Sequence, residues 1–156
     1  MNIPVAIAPV RKNVRVNASL EHAFDTFTAG LTRWWPKGHG ISKKPIAKVI
    51  MEPKLGGRWL EICEDGSEVP VGTIIVWERP HRFVMFWQVN SDWQPDMNMK
   101  SEVDVRFTAD GDATNVELLH HKFETMGAEG GGKLREDVNG GWPGLLEKYV
   151  IEAERK

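Results

Sequence analysis

The chain has a single cysteine, Cys63, and no excess of basic residues, and each scarcity removes a class of protein. One thiol cannot build an internal disulfide framework, and it suits a reducing compartment. A formal net charge of −2, with 20 Lys and Arg against 22 Asp and Glu, supplies no basic field for nucleic acid. No stretch approaches the roughly 18 to 20 apolar residues of a membrane-spanning helix. The opening segment, MNIPVAIAPVRKNV, is too short and carries its charges on the wrong side for a secretory signal. These readings predict a cytoplasmic protein without a membrane span or a nucleic-acid partner. Familiar catalytic signatures are also missing: no G-x-S-x-G, Walker loop, H-E-x-x-H or C-x-x-C occurs. No metal, nucleotide or other cofactor is expected on that basis.

What the sequence does hold is tryptophan, seven against one tyrosine. That many indoles imply a heavy core or an aromatic-lined cavity. With 156 residues and 41% hydrophobic content, one domain spanning 1–156 can bury a full core.

The last stretch organises the rest. From Gly130 to Lys156, Leu134, Val138, Trp142, Leu145, Leu146, Tyr149, Val150 and Ala153 recur at helical spacing, while charged residues fill the other faces. Pro143 cannot donate to the carbonyl of Asn139, so a bend or break is expected between Gly140 and Pro143. The glycine run 130–132 reads as a loop and cap ahead of the helix.

Before that helix the pattern is mostly strand. Ala8 to Val16 alternates, and Asn17 or Ser19 can cap a helix over Leu20 to Ala29. A short helix from Leu31 to Trp35 ends at Pro36, and a polar loop occupies 37–45. Strands are predicted at Ile46–Glu52, Arg58–Cys63, Val69–Arg79, His81–Asn90, Met99–Ala109 and Thr114–Lys122. Each apolar face needs cover, and the final helix is the one element able to supply it. The predicted class is α+β: a curved antiparallel sheet of about seven strands wrapped around a long C-terminal helix.

Strand parity points Trp59 and Glu61, then Met99, Ser101 and Val103, then Leu118 and His120 toward that helix. The helix adds Trp142 and Leu146. Trp34 and Trp35 on the short helix, with Trp93 and Met97 in the 92–98 loop, are placed to close the mouth of a cavity. A buried histidine needs a partner, and Glu61, Ser101 or water are the candidates for His120. Parity on the 69–79 and 81–90 strands is open, because both are apolar on both faces and one bulge inverts the assignment.

Five stretches, LTRWWP, EPKLGGRWLE, GTIIVWERPHRFVMFWQV, VELLHHKFE and NGGWPGLLEKYV, resemble homologues of the activator of heat-shock-protein-90 ATPase. Those belong to the START-like, helix-grip (SRPBCC) superfamily. The block of Trp77, Glu78, Pro80, Arg82, Phe83, Val84 and Trp87, with the terminal Gly141, Trp142, Leu145 and Leu146, carries the likeness. The resemblance implies seven strands gripping the last helix, with an apolar cavity between them. It does not imply one activity. Three readings follow: binding of a small hydrophobic or aromatic molecule in the cavity, a cyclase, hydrolase or isomerase using His120 or Glu61 there, and modulation of an ATPase or co-chaperone partner.

Overall fold

The structure, a computed structural model, describes residues 6–36 and 40–155. The ends of the chain at 1–5 and 156, and the 37–39 part of the expected polar loop, lie outside the described residues.

Strand β1 (Val10–Val16) is followed by helices α1 (Leu20–Phe27) and α2 (Leu31–Trp34). Strands β2 (Ile46–Met51), β3 (Arg58–Cys63), β4 (Glu68–Glu78), β5 (Arg82–Trp87), β6 (Ser101–Asp110) and β7 (Ala113–His121) then run as a meander. A 3-10 turn, Phe123–Met126, leads into helix α3 (Ala128–Ala153). The seven strands form one antiparallel sheet in the order β1-β7-β6-β5-β4-β3-β2. The first strand therefore pairs with the last, Val10 opposite His120 and Val16 opposite Thr114. Helices α1 and α2 carry the chain from that edge to the opposite one. This is the expected α+β helix-grip architecture.

Register settles which side chains face α3, because directly opposed residues share a face. Trp87 lies opposite Ser101, Met85 opposite Val103 and Phe83 opposite Val105, so these point inward on β5. On β4, Gly72 and Ile74 sit opposite Trp87 and Met85, but the next inward pair is Trp77 with Phe83. A register shift between Ile74 and Val76 moves the parity by one. Trp77 then meets Phe24 of α1 edge to face, ring centroids 5.0 Å apart.

Helix α3 differs from expectation at two points. It begins at Ala128, so the glycine run lies in its first turns rather than in a loop. A Cβ on Gly131 would come within 2.1 Å of the Phe123 carbonyl oxygen, and this close approach of helix to 3-10 turn needs glycine. Of the bend or break expected near Pro143, the break is absent: the helix runs unbroken through it. Pro143 falls on the exposed side, where the Asn139 carbonyl it leaves unpaired can meet water. Packing before it (Leu134, Val138, Trp142) and after it (Leu145, Leu146, Tyr149, Ala153) lies on one buried stripe and holds both halves to the same sheet. Val150, expected in that stripe, is only partly buried.

Candidate functional site

Four inward tryptophans from four elements meet around one space. Trp35 follows α2, Trp59 is on β3, Trp87 on β5 and Trp142 on α3. Their ring centroids form a closed circuit: Trp35 to Trp59 4.7 Å, Trp59 to Trp87 5.5 Å, Trp87 to Trp142 6.0 Å and Trp142 to Trp35 6.0 Å. All four contacts are edge to face, the favourable arrangement for ring quadrupoles. A cavity of about 80 Å³ opens beside them, between the sheet and α3. Glu61 and Val71 add to its sheet side, and Asp137, Val138, Gly141 and Leu145 to its helix side. Ile41 and Trp93 complete the wall.

Glu61 is 2% exposed, with both carboxylate oxygens hydrogen-bonded. One carboxylate oxygen accepts from the Ile41 amide and the other from the Ser42 amide, both at 2.8 Å. Its place in the wall is thus tied to holding the 40–42 segment. Trp93, at φ 60°, reaches across the mouth, and its indole N–H donates to Asp137 Oδ2 of α3 at 3.2 Å. Lys133 reaches the same carboxylate at 3.4 Å and also bonds the Ser91 carbonyl. The loop beneath Trp93 is pinned by Asn90, whose side-chain oxygen accepts from the Asp92 and Gln94 amides.

His120 stands behind this wall, completely buried. Trp142 Nε1 donates to its Nδ1 at 3.3 Å, and its Nε2 lies 3.1 Å from Ser101 Oγ. Since Nδ1 accepts, the ring proton belongs on Nε2 and is donated to Ser101. Burial, aided by neighbouring His121, lowers the His120 pKa to about 3. The imidazole is neutral near pH 7 and both nitrogens are engaged, which suits structure better than proton transfer. Ser101 is the partner among the three anticipated, and Trp142 is the one not anticipated.

Of the residues singled out from sequence, Trp35, Trp59, Glu61, Trp93 and Trp142 lie in the cavity wall. The others do not. Trp34 points away into the α1 side of the core, its N–H bonded to the Thr26 carbonyl. Val103, Leu118 and Leu146 are core residues, and Ser101 is taken up by His120. Met97 is 49% exposed and Met99 precedes β6, so neither methionine lines the cavity. The loop they occupy turns on Asn90 and the Val89–Pro95 bridge, which sends Trp93 inward and leaves Met97 outside. Sequence reasoning missed Ile41, Val71, Trp87, Asp137, Val138, Gly141 and Leu145 as wall residues. Trp87 could have been found only by fixing the parity of β5. Asp137 and Gly141 sit on the polar flank of α3, where nothing in the pattern marks them.

Among the described residues, no group of three His, Cys, Asp or Glu side chains could hold a metal ion. Among the same residues, no helix is long and apolar enough to cross a membrane.

Comparison with known proteins agrees with the architecture. No curated protein matches the chain. Among solved structures, the anthrahydroquino-γ-pyrone synthase Txn09 is 37% identical, the match covering 96% of this chain and 99% of that one, with a TM-score of 0.65. CalC, a self-sacrificing resistance protein from Micromonospora echinospora, is 33% identical over 93% of each chain, TM-score 0.70. The Aha1 dimer of Colwellia psychrerythraea shares the fold at 14% identity, covering 95% of this chain and 97% of that one, TM-score 0.65. The model of the family described as activator of Hsp90 ATPase homolog 1-like protein matches residues 17–150. With the helix-grip sheet and helix in place and most of the chain matched, the protein belongs to the activator of Hsp90 ATPase homolog 1-like family.

Proposed function

We propose that the protein binds a small, flat, hydrophobic or aromatic molecule in the cavity between the sheet and α3. The observation that carries this reading is the circuit of four tryptophans beside an open space, since a purely structural cluster would close on itself. Two relatives above 30% identity support it, one an anthrahydroquino-γ-pyrone synthase and the other a self-sacrificing resistance protein.

Size qualifies the ligand. At about 80 Å³ the space is several times the roughly 10 to 15 Å³ one water needs, yet well below the roughly 300 Å³ of a drug-sized pocket. A larger molecule would seat one portion against the indoles and displace Trp93, whose tie to Asp137 is a single hydrogen bond near the surface.

The likeness to a synthase also supports a second reading, in which the cavity acts on what it binds. Glu61 and Asp137 are its two carboxylates. Glu61 has an amide on each oxygen, whereas Trp93 and Lys133 both contact Asp137 at Oδ2, which leaves Asp137 Oδ1 at the mouth as the more available oxygen. The exposed large hydrophobics among the described residues, Leu55, Met97 and Ile151, lie on three separate segments, which gives a partner-protein reading less support.

Native mass spectrometry of the protein purified from cells tests the binding reading, with a retained small molecule as the expected result. Binding of a neutral aromatic probe with no saturation and no change at the tryptophans would count against it. Chemical alteration of a retained molecule on incubation would favour the second reading.

A further inference from the structure

The indole N–H of Trp87 is the one buried side-chain polar atom, among the described residues, with no hydrogen-bond partner. Three other indoles contrast with it: Trp34 donates to Thr26, Trp93 to Asp137 and Trp142 to His120. Trp87 is 4% exposed and its ring forms part of the cavity wall. It is hemmed in by Trp59, Trp142 and His120 at centroid distances of 5.5, 6.0 and 5.7 Å. No acceptor in the wall lies within hydrogen-bond reach of it; the Glu61 oxygens are turned to the Ile41 and Ser42 amides. An indole nitrogen only donates, and a buried donor left without an acceptor is costly.

We infer that Trp87 is a specificity-determining donor: its N–H bonds an oxygen of the bound molecule, which is therefore a neutral, flat, carbonyl-bearing compound rather than a hydrocarbon or a fatty acid. This rests on the binding reading above. Neutrality follows from the charges around the space. Its described wall carries two carboxylates, Glu61 and Asp137, and no Lys, Arg or His. Lys133 offsets Asp137 from outside the wall, but among the described residues no cation pairs with buried Glu61, so a carboxylate ligand would meet like charge there. A ketone, quinone, pyrone or lactone oxygen accepts the same hydrogen bond without a charge. The surrounding indoles then cover the ring faces and edges.

The test uses a matched pair of probes, 1-indanone and indane, which differ chiefly in one carbonyl, with binding to the full chain measured by equilibrium dialysis. The wild-type protein is expected to prefer indanone about tenfold, the ratio that 1.4 kcal/mol represents. Trp87→Phe keeps an aromatic ring and removes the N–H, so it should abolish that preference by weakening indanone alone. In the wild-type protein, the Trp87 indole proton resonance should move with indanone and stay nearly fixed with indane, a readout that does not depend on the variant folding. Equal binding of both probes to the wild type overturns this inference and leaves the binding reading standing. Failure of both probes to bind overturns the two together.

Discussion

Trp142 on α3 donates its indole hydrogen to Nδ1 of His120 on β7 at 3.3 Å, with both side chains buried. One hydrogen bond thus joins the gripped helix to the sheet at the level of the cavity, with the Trp142 ring on the wall and His120 behind it. Beyond His120 the chain of bonds continues to Ser101 and, at 3.5 Å, from Ser101 Oγ to the Trp87 carbonyl.

Trp142→Ala removes a large buried ring and orphans the His120 acceptor, so it should lower stability by about 3 to 5 kcal/mol. Trp142→Phe keeps most of the packing and loses only the donor, for which about 1 to 3 kcal/mol is expected. Urea melts of the two variants measure both. Equal, near-zero losses would mean the helix is not anchored here.

His120 makes stability depend on pH in a defined window. Its folded pKa of about 3 lies below the unfolded value of 6.5, so the unfolded chain binds the extra proton between them. Stability is full above about pH 6.5 and falls as pH drops, by roughly 2 kcal/mol at pH 5. Asp25, held low by Arg79, and Asp104, held low by Arg82 and Arg106 against the cost of burial, lose their contributions only below that. Denaturation at pH 7 and pH 5 should therefore show the drop in the wild-type protein and not in His120→Gln. A wild-type chain equally stable at both values would refute the neutral, buried assignment.

Glu61 holds the 40–42 segment through two amides, and glutamine can accept at only one side-chain atom. Glu61→Gln should cost about 1 to 3 kcal/mol and speed amide exchange at Ile41 or Ser42. Exchange measured by NMR decides it. Unchanged protection at both residues would show that the carboxylate does not fix the segment.

The sheet, its strands and the stripe of α3 were legible because spacing of two, three and four residues reports directly on which side is buried. His120 facing inward was legible by the same parity. Its partner Trp142 lies 22 residues away on another element, and no periodicity carries that pairing. Strand β5 is apolar on both faces, so Trp87 was missed as a wall residue; only its pairing with Ser101 on β6 fixes the side it faces. The start of α3 was hidden for a different reason: three glycines argue against helix locally, while Gly131 is required there by the close Phe123 carbonyl. Met97 and Trp93 share one loop and the same sequence surroundings, and only the turn geometry separates the exposed one from the one that turns inward.

Gly141 offers the most direct test that the space beside the tryptophans is a binding site. It lies in the wall, a Cβ placed on it meets nothing within 4 Å, and leucine suits a helix better than glycine by roughly 0.5 to 1 kcal/mol. Gly140→Leu is the matched control, since Gly140 is exposed, open and outside the wall. The measurement is a fluorescence titration with the neutral dye N-phenyl-1-naphthylamine, alongside thermal melts of all three proteins. Saturable one-to-one binding by the wild type and Gly140→Leu is expected, with binding by Gly141→Leu weakened at least about tenfold and its melting temperature no lower than wild type. Equal binding by Gly141→Leu and the wild type would contradict the account.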